Sequence, residues 1–197
     1  MPPTFRGFSA IASSGRQRHT ALGMNPRRPV LPQRDAMQRL LRLTTLLFLV
    51  SALVGCDHVT KYVAKSELQG GNGLTVLPGW FGLVYTENRD VGFNLLSWLP
   101  DPPRQIVLMV VGFGASAALL FLLMRRRAAS RWHLGALCLV LAGALGNTLD
   151  RGLRGYVVDF LHVQHWPVFN LADVYVTIGV IAMFLLARNE RRLASGQ

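Results

Sequence analysis

Four apolar runs dominate the pattern along the chain: Leu40–Cys56 (broken only by Arg42), Gln105–Met124, Trp132–Leu149 and Phe169–Ala187, of 17, 20, 18 and 19 residues. At 1.5 Å of rise per residue, roughly 20 residues cross the ~30 Å hydrocarbon core of a bilayer. Each run therefore predicts a transmembrane helix. Backbone groups in lipid must be satisfied within the fold, so four separate runs of this length predict a helical bundle rather than a barrel. Between the first two runs lies the segment Ser66–Arg104. There Gly70-Gly71-Asn72-Gly73 signals a turn, and Leu74–Leu77, Trp80–Thr86 and Val91–Leu95 are short β-like runs. The expected fold is an all-α membrane protein: a four-transmembrane-helix bundle with a small extracytoplasmic β-rich subdomain between helices 1 and 2. Trp80, Phe81, Tyr85, Phe93 and Trp98 of this segment suit the lipid headgroup region.

Composition agrees with that pattern. Of 197 residues, 51 % are hydrophobic and only 16 % charged, which argues against a soluble globule and against a disordered chain. The net charge of +11 is unevenly spread, with +7 on residues 1–42. No basic stripe is interleaved with aromatics, so no nucleic-acid partner is expected. Lys and Arg instead report orientation. The two termini and the link between runs two and three carry fifteen, against six in the other two loops, which puts both termini in the cytoplasm. Residues 1–39 read as a basic, disordered extension, or as lying upstream of a start at Met24 or Met37. Residues 40–187 form the membrane domain and 188–197 a basic cytoplasmic tail.

Cys56 and Cys138 fall at different depths, too far apart for a disulfide. Arg39 and Arg42, an apolar run and Leu53-Val54-Gly55-Cys56 also have the form of a bacterial lipoprotein signal, which would be cut before Cys56 and lipidated there. The plainer reading is an ordinary helix end.

Ionisable groups near a membrane core are expensive, and here they gather at the outer ends of the spans. Asp57 and Lys61 share a helix face at i, i+4, as do Asn147 and Arg151. Arg151 can hold a carbonyl or carboxylate with two parallel bonds, or reach to the headgroups. Asp159 follows span three in an apolar context, and Asp173, three residues after Asn170, starts span four. Two carboxyls brought together there share a proton, the arrangement that activates water in an aspartic protease. Structural capping and ion transport remain open beside that reading. Asp159, His162 and His165 are spaced by threes and Asp173 could join them around a metal, but no HExxH or Cys-rich motif accompanies them. No metal or cofactor is expected.

Four blocks together resemble the lipoprotein signal peptidase (signal peptidase II) family: Asp57-His58-Val59-Thr60-Lys61, Tyr85–Phe93, Gly143–Arg151 running on through Gly155–Phe160, and Phe169-Asn170-Leu171-Ala172-Asp173. The resemblance covers about residues 40–187. It implies a bacterial inner-membrane aspartyl endopeptidase that cleaves diacylglyceryl prolipoproteins before the lipidated cysteine, without a cofactor and as a monomer. Asp159 and Asp173 would be the dyad, with Asn88, Asn147, Arg151 and Asn170 positioning it or the substrate. Asp57 and Lys61 would support the structure. In the second block Asp90 stands where the family pattern Asn-x-Gly-Ala-Ala-Phe has its glycine, with Val91 and Gly92 following, which puts substrate preference in question. Ala142 replaces the first of two glycines in the third block, and the N-terminus is extended. The rivals are a small ion-coupled transporter and a lipoprotein itself lipidated at Cys56.

Overall fold

The structure, a computed structural model, describes residues 32–90, 96–125 and 130–195. In chain order the elements are α1 (Pro32–Leu68), β1 (Leu74–Leu77), β2 (Phe81–Asn88), α2 (Pro103–Arg125), α3 (Arg131–Arg154), β3 (Val157–Val163) and α4 (Leu171–Ser195). All four helices are long and apolar enough to cross a membrane. The protein is thus a four-helix membrane bundle with a small sheet.

The helices outrun their apolar runs, because i→i−4 hydrogen bonding continues wherever polar side chains find partners. α1 passes Cys56 and carries Asp57 and Lys61 on to Leu68, so Cys56 lies inside the helix rather than at its end. At its other end α1 begins at Pro32, a residue suited to a first helical turn. Residues 32–39, expected to be disordered, are therefore helical; Arg34, Ala36, Met37, Gln38 and Arg39 all favour that state. The expected extension before Pro32, with the starts at Met1 and Met24, lies outside the described residues. α3 carries Asp150 and Arg151 on to Arg154 and stops at Gly155, whose φ of 77° lets its N–H close on the Arg151 carbonyl. α4 continues through most of the expected tail, to Ser195.

The sheet is antiparallel in the order β1-β2-β3. β1 falls on the run expected for it. The third strand does not come from Val91–Leu95, which, with Phe93, lies outside the described residues; it comes from Val157–Val163, between α3 and α4. Residues 157–160 are buried on both sides of the strand, so the alternation that marks a half-exposed strand is missing from their sequence. In the β2–β3 register Thr86 faces Asp159 and Asn88 faces Val157. Phe169, expected to open the fourth helix, instead pairs with Leu161.

α3 is the central helix and packs on α1, α2 and α4. Its face supplies Leu134, Leu137, Cys138, Leu141 and Ala142 to a core shared with Val50 and Leu123. Ala142 is fully buried there. The outward faces of α1, α2 and α4 present Phe48, Val110 and Phe184, as lipid-facing surfaces do. α1 and α3 end, and α2 and α4 begin, beside the sheet; Arg39, Arg42, Arg125, Arg131, Arg188, Arg191 and Arg192 lie toward the opposite end.

α3 and α4 meet at backbone distance. A Cβ at Gly143 would strike the Ala172 carbonyl oxygen and come within 2.7 Å of Val176 Cγ2. Gly143→Ala should therefore push the helices apart and cost about 1–3 kcal/mol. Thermal denaturation in detergent reads this against Gly114→Ala, where the added carbon meets nothing within 4 Å and no loss is expected.

Candidate active site

At the sheet end of the bundle a fully buried Lys61 joins three side chains. Its Nζ lies 2.7 Å from Asp57 Oδ2, 2.8 Å from Asp150 Oδ2 and 3.0 Å from Asn147 Oδ1. The i, i+4 pairing of Asp57 and Lys61 is thus realised. Asp57 turns its other oxygen to the Ala172 N–H in the first turn of α4, at 2.9 Å. Asp150 turns its own to Arg154 Nη1 at 3.0 Å, with His58 Nε2 at 3.7 Å. Two buried carboxylates are matched by two cations, the condition under which buried charge is tolerated. Asp150 and Arg154 had no assigned role from sequence. The available signal was their spacing, since Asn147, Asp150, Arg151 and Arg154 form one i, i+3, i+4, i+7 stripe on α3.

Asn147 passes this order on to the dyad candidates. Its oxygen accepts from Lys61 and from Asn170 Nδ2 (3.2 Å), which leaves its Nδ2 to donate to Asp173 Oδ1 at 2.8 Å. Asn170 caps α4. Its Oδ1 accepts the Asp173 N–H and Asp173 Oδ2 accepts the Asn170 N–H, both at 3.1 Å, a reciprocal capping box. Asp173 therefore sits in a helical first turn, where the peptide dipoles favour an anion. Asp159 comes from β3. Its Oδ1 accepts from Asn170 Nδ2 at 2.6 Å and its Oδ2 from Asn88 Nδ2, on β2, at 2.8 Å. Burial pushes the Asp159 carboxyl up to about 6; the Asn88 and Asn170 bonds oppose that rise and the like charge of Asp173 adds to it.

Arg151 shares the Asn147 face as expected, but its partners are backbone atoms. Nη1 donates to the Asn147 carbonyl at 3.3 Å and Nη2 to the Asp90 carbonyl at 2.7 Å. Its charge still acts on both Asp159 and Asp173. Asn88, Asn147, Arg151, Asp159, Asn170 and Asp173 all line one cavity of about 950 Å³. Asp57 and Lys61 stand behind it. The strand's period of two sends Asp159 and His162 to opposite faces of the sheet, so the spacing by threes does not converge on one ion. No group of three or more metal-ligating side chains occurs among the described residues.

Removing the lysine should expose how much rests on it. Lys61→Met leaves Asp57 and Asp150 buried with one cation fewer, and a loss of about 3–5 kcal/mol is expected in thermal denaturation of the detergent-solubilised protein. A variant as stable as the parent would rule out this pairing.

Comparison with known proteins agrees with the geometry. The family described as Signal peptidase (SPase) II matches residues 49–188. A lipoprotein signal peptidase of Enterococcus faecalis is 34 % identical over 160 residues, 79 % of this chain and 96 % of that protein. One from Syntrophus aciditrophicus is 36 % identical over 142 residues, 69 % of this chain and 88 % of that protein. Two solved structures, of a bacterial membrane enzyme studied by the in meso method at 2.3 and 1.9 Å resolution, superpose with TM-scores of 0.67 and 0.64. They are 26 % and 28 % identical and cover 75 % and 73 % of this chain and 90 % and 92 % of theirs. With four spans, a site at the sheet end and a family match across both, the chain belongs to the signal peptidase II family of membrane proteases.

Proposed function

We propose that Asp159 and Asp173 are the catalytic dyad with which this signal peptidase cuts diacylglyceryl prolipoproteins before the lipidated cysteine. The observation that carries the reading is that Asn170 bonds to both aspartates while both line the same cavity. In this reading Asp173, held in the capping box, acts as the base, and Asp159, whose carboxyl burial pushes up to about 6, acts as the acid.

Water between the carboxyls loses a proton to Asp173 as its oxygen attacks the scissile carbonyl carbon, while Asp159 protonates the carbonyl oxygen. The tetrahedral diol then collapses. Its C–N bond breaks, Asp173 returns its proton to the cysteine nitrogen, and the diol hydroxyl returns one to Asp159. The products are the signal peptide's carboxylate end and a free lipidated cysteine amine. No covalent intermediate forms, and Asn88, Asn147, Asn170 and Arg151 hold the carboxyls and the adjoining backbone. No cofactor takes part.

The Arg-rich ends of the helices support cytoplasmic termini and a site near the outer face of the inner membrane. There the exposed Trp80, Trp98 and Trp166 suit the headgroups, and the lipid of the substrate can stay in the bilayer. A transporter is disfavoured by the gathering of polar groups at one end rather than at mid-bilayer. Lipidation at Cys56 would cut α1 between Gly55 and Cys56, next to Asp57, whose carboxylate holds α4.

Asp159→Asn and Asp173→Asn should each lower cleavage of a diacylated prolipoprotein by about 10²–10⁴-fold while the protein stays in the membrane. Substantial cleavage by either would remove it from the dyad. The pH dependence follows from the raised Asp159 carboxyl. Its acid form is lost as pH rises through about 6, so kcat/KM should fall above that value. A profile level through it would deny Asp159 the role of acid.

A further inference from the structure

Asp90 is charged, yet it is only 4 % exposed. Its Oδ1 accepts the Leu96 N–H at 3.1 Å and its Oδ2 lies 3.6 Å from Arg104 Nη1. Arg104 stands in the first turn of α2 and forks onto Asp101 as well, with Nη2 2.9 Å from Oδ2 and Nε 3.3 Å from Oδ1. That guanidinium holds the Asp101 carboxyl below its ordinary range. Beside it, Gln105 Nε2 donates to the Arg89 carbonyl at 2.9 Å. The start of α2 thus grips two consecutive residues just after β2.

The backbone of Asp90 faces the other way, into the site. Its N–H donates to Asn88 Oδ1 at 2.9 Å, which commits the Asn88 Nδ2 to Asp159. Its carbonyl accepts from Arg151 Nη2 at 2.7 Å. A glycine here could keep these two backbone bonds, but it would have no side chain to anchor them and a wider choice of φ and ψ to lose.

We propose that Asp90 is a positioning residue of this active site: its carboxylate, clamped by Arg104 and the Leu96 N–H, fixes the backbone that turns Asn88 toward Asp159 and holds Arg151. The inference rests on the dyad reading above and adds a residue to it. Asp159 is faced by Asn88 from β2, Asn170 from the turn before α4, Asp173 from α4, and the charges of Arg151 on α3 and Lys61 on α1. Of these, Asn88 and Arg151 are bonded directly to Asp90. When the clamp loosens, Asp159 loses a donor that favours its ionised form, and its proton persists to higher pH. Loss of the Asp90 charge acts in the opposite sense, so the direction of the change separates the two effects.

The test measures kcat, KM and the pH profile on a diacylated prolipoprotein for the parent, Asp90→Gly, Asp90→Asn, Arg104→Lys and Asp173→Asn. For Asp90→Gly a roughly tenfold fall in kcat is expected, the worth of about one hydrogen bond, with KM within about twofold. Its alkaline limb should move up by roughly half a pH unit. Asp90→Asn keeps an acceptor for Leu96 and should fall between. Arg104→Lys keeps the charge and loses the fork, so an upward limb in this variant isolates positioning should Asp90→Gly not fold. Parent-like kcat and limb in the Asp90 and Arg104 variants would overturn the positioning role alone, and a lower kcat with an unmoved limb would reduce Asp90 to a structural part. Cleavage by Asp173→Asn at the parent rate would instead overturn the dyad reading, and this inference with it.

Discussion

A lysine with no exposed surface has to be neutralised by the protein itself, and Lys61 is neutralised by residues from two different helices. Asp57 lies one turn earlier on α1, Asp150 lies on α3, and Asn147 adds a neutral acceptor. Of these contacts only the one to Asp57 is available to an isolated helix, so the charge becomes cheap only once α1 and α3 are docked in one register. Asp57 extends the same constraint to α4 through the Ala172 amide. Three of the four helices are thereby tied at the end of the bundle where lipid gives way to the sheet. The apolar packing deeper down, around Leu137, Cys138 and Ala142, supplies area but sets no comparable demand on register.

The same constraint reaches the chemistry through two asparagines. Asn147 cannot turn its amide over without setting its NH₂ group against Lys61, so its donor is left for Asp173. Asn170 is both the cap that starts α4 and the bridge to Asp159. Asp173 belongs to the capping box, so the group that starts the helix also lines the cavity. Asp57 and Asp150 pair directly with Lys61 and Arg154, whereas Asp159 and Asp173 take neutral amide donors and meet the charge of Arg151 without a direct bond. Amide donors in place of a paired cation suit two carboxyls that share a proton.

The sheet contributes more than a cover. β2 and β3 come from loops far apart in the chain, and their pairing brings Asn88 beside Asp159. One strand edge thus meets the beginning of α4 and the end of α3, and a cavity opens at their junction. Its walls draw polar groups from two strands and three helices, while the apolar outer faces of α1, α2 and α4 remain free for lipid.

Much of this was legible in the residues themselves. Run length determined four spans, because the thickness of a bilayer and the rise of a helix are both constants. Helical spacing determined that Asp57 and Lys61 share a face, and the block pattern singled out Asp159 and Asp173. The third strand was hidden, because Val157, Val158 and Phe160 are buried and show no alternation. The true ends of α1 and α3 were hidden too, since a hydrophobic run stops where lipid stops and a helix stops where its hydrogen bonds do. Asp150 showed its helical face but not its partner on α1, and Asp90 showed a charge but not the clamp that holds it. Local sequence determines conformation and face through contacts three or four residues apart. Which carboxylate meets which amide at hydrogen-bond distance depends on segments remote in the chain, and only the packed tertiary structure decides it.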